Sequence, residues 1–132
     1  TGNPYQAEFT GGASDIFLLK LDSAGSSLVY STYLGGRSED KAREMAAGDN
    51  GEIYISGYTR SDDFPTVNPY QAALGGGADG FVIRFSSTGS ALLYSTYLGG
   101  SMNDYGESLA PDDSGAVLVT GSTMSGDFPV RD

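Results

Sequence analysis

The sequence predicts an all-β fold built from repeated four-stranded antiparallel units, and three observations carry that expectation. Nearly the same nine residues occur twice, LVYSTYLGG at 28–36 and LLYSTYLGG at 92–100. Twenty glycines and nine tyrosines are spread along short alternating runs, the composition of strands separated by turns. No segment of helical period survives comparison of the two copies.

The repetition extends well beyond nine residues. Laid over Asp79–Val130, the segment Asp15–Thr66 aligns 52 positions, of which 23 are identical. The identities include Asp15/Asp79, Phe17/Phe81, Gly25/Gly89, Asp40/Asp104, Asp49/Asp113, Gly57/Gly121 and Asp63-Phe64-Pro65/Asp127-Phe128-Pro129. Upstream, Asn3-Pro4-Tyr5-Gln6 returns as Asn68-Pro69-Tyr70-Gln71, with one extra residue between Gln6 and Asp15. A long period with this much identity marks a unit that stacks on its neighbours.

Each element follows in order. Ile16–Leu21 is a dense apolar run, and Asp22–Ser26 is a turn in which Gly25 supplies the backbone freedom. Leu28–Leu34 alternates, with Tyr30 and Thr32 on one face and Ser31 and Tyr33 on the other, and stops at Gly35-Gly36. Segment 42–47 is short and rich in small residues. The surrounding Glu39–Ala47 is rich in helix formers, but its counterpart carries Gly106 and Pro111, which demotes both copies to strands. Asp49-Asn50-Gly51 is a hairpin turn leading into the alternating run Ile53–Thr59. A long loop over 60–78 then leads to the second copy, with strands expected at 81–85, 92–98, 106–111 and 117–123.

Four antiparallel strands per unit of about 64 residues is the form of a β-propeller blade. Counting outward from the axis, strand A is 42–47 and 106–111, B is 53–59 and 117–123, C is 16–21 and 81–85, and D is 28–34 and 92–98. The chain is therefore expected to be a single propeller segment over 1–132. It comprises repeats 15–78 and 79–132, with 1–14 the tail of a preceding repeat. It is out of phase with its own blades, reading C–D, then A–B–C–D, then A–B. The tight A–B and C–D turns fall at one end of the blade. The longer B–C and D–A loops share the other end, where partner contacts are expected.

Composition narrows the function. Seven Lys and Arg stand against 17 Asp and Glu, a net charge of −10, which argues against nucleic acid and anionic lipid as partners. No apolar run approaches the ~18 residues of a membrane span. There is no cysteine for disulfides or thiol chemistry and no histidine to act as a base or metal ligand. Glu39, Asp40, Asp62 and Asp63 form no arrangement that singles out a glycosidase pair, so no enzyme is expected. The start at Thr1 reads as a processed piece or a fragment.

Six residues are the candidates for ligand contact. Asp40 and Asp104 lie in the D–A loops near the mouth of the channel, where they would either cap strand A or face a cation or sugar hydroxyls. Asp63 and Asp127 follow strand B and suit either Asx turns or ligand contact. Tyr5 and Tyr70 would pack beneath the B–C loop or stack on a sugar ring. Phe64 and Phe128 are expected to fill the space between blades. Asp49–Gly51 and Asp112–Gly115 lack the carboxylate spacing of an EF-hand loop and read as hairpins. No cofactor is demanded; calcium is the ion that the loop carboxylates would suit.

The pattern Asp15, Phe17, Lys20, Asp22, Gly25-Ser26, Leu28–Gly36, Asp40, Ala46, Asp49, Gly51, Tyr54, Ser56–Thr59, Ser61 and Asp63–Thr66 resembles the bacterial SBBP-type β-propeller repeat. The resemblance spans nearly the whole chain in two copies. It implies a secreted or cell-surface bacterial protein, often large, in which the repeats serve as scaffold or binding modules, with no catalytic residues to carry over. The second copy departs from the pattern at Ser86, Pro111 and Leu118.

The functional expectation is a non-catalytic extracellular scaffold that completes blades head-to-tail with other copies or with the rest of a longer array. A lectin-like module binding carbohydrate or a cation through the long loops is the alternative, and a polysaccharide hydrolase or lyase the third. Two blades alone would leave bare strand edges and an apolar face in water. Head-to-tail contacts close into rings or run on as filaments. With ~4–8 blades per propeller, a trimer of six blades is the first expectation and a tetramer of eight the second.

Overall fold

A computed structural model of the chain describes residues 3–131. It contains eight strands: β1 (Ile16–Leu21), β2 (Leu28–Leu34), β3 (Asp40–Ala47), β4 (Ile53–Thr59), β5 (Asp79–Phe85), β6 (Leu92–Leu98), β7 (Asp104–Pro111) and β8 (Val117–Thr123). No helix occurs among the described residues. All eight expected strands form, and β3, β5 and β7 each begin two residues early. The extension has one cause: Asp40 and Asp79 both pair across Thr59, and Asp104 pairs across Thr123. The aspartates expected in loops therefore open strands.

The helix-forming segment 39–47 is held as a strand by its register against β4. The register slips between Ala42 and Glu44, and again between Gly106 and Ser108 of β7. These are β-bulges, at Arg43 and Glu107 respectively, which the sequence reading did not foresee.

The strands form three antiparallel sheets: β1-β2, β3-β4-β5-β6 and β7-β8. One complete blade is thus flanked by two half blades. An apolar core joins the first half blade, through Ile16, Leu18 and Leu34, to Ile55, Phe81, Ile83, Phe85 and Tyr97 of the complete blade. On the opposite face the backbones come close. A Cβ on Gly80 would stand 3.1 Å from Gly106 N, and one on Gly106 would stand 2.9 Å from Gly57 O. Glycine lets β4, β5 and β7 approach there.

The long loop between β4 and β5 is itself structural. Val67 and Ser95 exchange backbone hydrogen bonds of 3.1 and 3.0 Å, and Tyr97 N donates to Gln71 O at 3.3 Å. The loop thereby folds back over β6 and covers what would be an exposed strand edge.

Candidate functional site on the long-loop face

Asp40 starts β3 beneath the loop that follows β2, and its carboxylate ties three segments together. Gly36 N and Ser61 Oγ donate to Oδ2 at 2.7 and 2.9 Å, and the Thr59 hydroxyl donates to Oδ1. The residue is buried, and this desolvation pushes its pKa above the ordinary carboxylate value despite the bonds it accepts. Asp104 repeats the arrangement at β7, accepting from Gly100 N and Ser125 Oγ at 2.7 Å each. Its Oδ1 is buried without a partner. Thr123, the counterpart of Thr59, instead turns its hydroxyl toward Ser125 O, 3.5 Å away.

Asp63 and Asp127 hold the same loops from above. Asp63 accepts from Arg37 N and Arg37 Nε, both at 2.8 Å. Asp127 accepts from the backbone and hydroxyl of Ser101 at 2.9 and 3.0 Å. The Ser101 bonds, led by the backbone N–H, draw the Asp127 pKa below its ordinary value.

The two tyrosines part company. Tyr5 is half-buried and meets Phe85 edge-on, with ring centroids 5.7 Å apart. Tyr70 is 74% exposed. With Gln71, Gly100, Ser101, Asp127 and Pro129 it borders an open groove, so Tyr70 and Asp127 share one surface feature. Asp40 and Asp104 are brought into neither that groove nor contact with either tyrosine.

Phe64 stacks on Phe81 at 5.0 Å and tilts against Tyr97 at 6.0 Å, within the apolar cluster shared with β1 and β2. The Tyr97 hydroxyl donates to Ser61 O at 2.7 Å and accepts from Phe64 N at 3.1 Å. Burial pushes that phenol up to about 12.

Sequence reasoning passed over Gln6 and Gln71 as organisers of the loop face. Gln71 Nε2 donates to Asp79 Oδ2 at 2.6 Å, and its Oε1 accepts from Gly99 N at 2.9 Å. Gln6 links Asp15 and Gly35 in the same way, at 3.2 Å each. The signal was present: a glutamine and an aspartate that no strand requires recur in both copies.

This face is a set of loop anchors bonded mainly to their own loops, beside the open groove at Tyr70 and Asp127. Among the described residues, no group of three or more Asp and Glu is placed to hold a metal ion.

Comparison with known proteins agrees with the architecture. The model of the SBBP family, a beta-propeller repeat, matches residues 29–65 and 93–129, more than half of the chain. The chain is also 26% identical over 121 residues to the regulatory protein FlaEY of Caulobacter vibrioides. That match covers 89% of this chain but only 12% of the relative's length.

Proposed function

The chain belongs to the SBBP beta-propeller repeat family, and on that premise we propose that it is a non-catalytic scaffold module whose half blades are completed head-to-tail by other copies or by the rest of a longer array. The proposal extends to a secreted or cell-surface setting, as the resemblance of the repeats implies.

One observation carries the reading: equivalent residues are buried in the complete blade and bare in the half blades. Phe81 is 0% exposed and its counterpart Phe17 is 69% exposed; Tyr54 is 3% exposed and Leu118 is 72% exposed. Leu19, Leu21 and Leu28 are likewise exposed, whereas Ile83, Phe85 and Leu92 are buried. Surfaces so apolar, beside unpaired strand edges, are characteristic of contacts waiting for a partner. The match to a small part of a far longer regulatory protein fits a building block of a larger assembly.

Light scattering on the purified chain at micromolar concentration tests the proposal. The expected mass is that of three chains of 13.7 kDa, giving six blades, with four chains and eight blades as the second closed ring. A folded, stable monomer would refute head-to-tail completion by other copies.

A further inference from the structure

We infer, resting on the reading above, that a second copy of this chain supplies the completing strands. Strand β8 of one copy docks on β1 of the next in the register that β4 keeps against β5, and the Phe128-Pro129 segment seats in the cleft at Phe17 and Tyr33.

The molecule contains the template. Strand β4 pairs with β5 through Ile53↔Phe85, Tyr54↔Arg84 and so on to Thr59↔Asp79. Replacing β4 by β8 and β5 by β1 turns these into Val117↔Leu21, Leu118↔Lys20 and Thr123↔Asp15. The seat is also present. An open cleft lies against Pro4, Ala7, Phe17, Leu19 and Tyr33. In the complete blade the equivalent place is filled by Phe64 on Phe81 and Tyr97. Tyr33 would repeat the role of Tyr97, donating to Ser125 O and accepting from Phe128 N of the second copy. Ser31 would donate to Pro129 O, as Ser95 Oγ donates to Pro65 O at 2.7 Å.

Face-to-face contacts agree. Tyr5 of the first half blade lies against Phe85 of the complete blade, and the Tyr30 ring occupies the space beside Gly89. Their counterparts Tyr70 and Tyr94 face the side where the second copy would stand. Transferring the contacts sets Tyr70 on Leu21 and Tyr94 beside Gly25 of that copy. Both targets are free to receive them: Leu21 is exposed and nothing stands within 4 Å of a Cβ on Gly25. The exposure of Tyr70 is then that of an assembly contact rather than a sugar platform.

Charge selects a second copy over an unrelated repeat. At the two bulges, Arg43 of β3 faces Glu107 of β7 at 3.8 Å, both half exposed. A ring of copies alternates β3 and β7 around its axis, so every Glu107 lies between two Arg43 side chains. Blades that all carried arginine, or all carried glutamate, at this position would repel.

The test is a disulfide in a chain that has no cysteine of its own. Lys20 and Leu118 are both exposed, so Lys20→Cys with Leu118→Cys leaves the protomer's core untouched; circular dichroism confirms the fold of each variant. Mild oxidation should link this double variant into covalent multimers. Lys20→Cys with Thr120→Cys, two residues out of register, should link at least tenfold more slowly. Tyr70→Ala should raise the dissociation constant of the assembly by about tenfold. If the wild-type mass is oligomeric but both cysteine pairs link equally, or neither does, the docking register is wrong while blade completion stands. A monomeric wild type overturns both this docking and blade completion by other copies. If Tyr70→Ala leaves assembly unchanged, the face-to-face contact is overturned.

Discussion

The complete blade and the half blades are built from nearly the same residues, yet they live in different surroundings. In the complete blade, β5 is buried along almost its whole length, and the loop after β4 covers the edge of β6. In the first half blade, β1 buries Ile16 and Leu18 on one face and exposes Phe17, Leu19 and Leu21 on the other. The same contrast reaches the buried carboxylates. Asp40 has both oxygens bonded, whereas Asp104, next to an unaccompanied β8, leaves Oδ1 without a partner. Sequence therefore sets which residues are able to form a core; completion of the blade decides whether they do.

Substitution at paired positions sharpens this contrast. The largest effect is expected at Phe81. Phe81→Ala should cost about 3–5 kcal/mol of unfolding free energy in a denaturant titration. Phe17→Ala should leave the protomer's secondary structure intact and act on solution mass, weakening assembly. If both variants lose the same protomer stability under conditions that dissociate any assembly, the two environments are equivalent and the contrast fails.

A middle-sized effect is expected at the paired tyrosines. Tyr97→Phe removes a hydroxyl that satisfies Ser61 O and Phe64 N in a buried setting, at a cost of about 1–3 kcal/mol. Tyr33→Phe should be silent in dissociated protomers and measurable only in the assembly. Loss of stability at Tyr33 in dissociated protomers would show that its hydroxyl already has a partner.

The smallest effect is one of pH. Burial raises the pKa of Asp40, so the folded chain binds this proton more tightly than the unfolded chain. The contribution favours folding below the ordinary carboxylate value and fades as pH rises through the raised one. Asp127, with a lowered pKa, works in the opposite sense, and its contribution is lost as pH falls through the lowered value. Asp40→Asn should therefore make stability fall more steeply on acidification than in the wild type. A shallower acid limb would contradict the assignment.

Much of this was legible in the chain. Period and turn chemistry located all eight strands, and comparing copies removed the false helix at 39–47, because Gly106 and Pro111 cannot serve one. What stayed hidden has a common cause. The bulges at Arg43 and Glu107, the early starts at Asp40, Asp79 and Asp104, and the return of Val67 onto Ser95 all depend on how paired segments register against each other, within the β3–β4 and β7–β8 hairpins and across the loop between β4 and β5. A residue's own type does not encode that register. The candidate site was legible as a set of repeated aspartates and tyrosines. Their division into buried anchors and an exposed groove was not, since it depends on which blade each residue faces.

The most direct measurement is hydrogen–deuterium exchange of the β1 and β8 backbone amides across a dilution series, with β4 and β5 as internal reference. If half blades are completed by other copies, β1 and β8 should be protected like β4 and β5 at high concentration and lose that protection on dilution, while the reference strands keep theirs. Exchange at β1 and β8 that is fast and independent of concentration, in a chain whose β4 and β5 remain protected, would contradict blade completion.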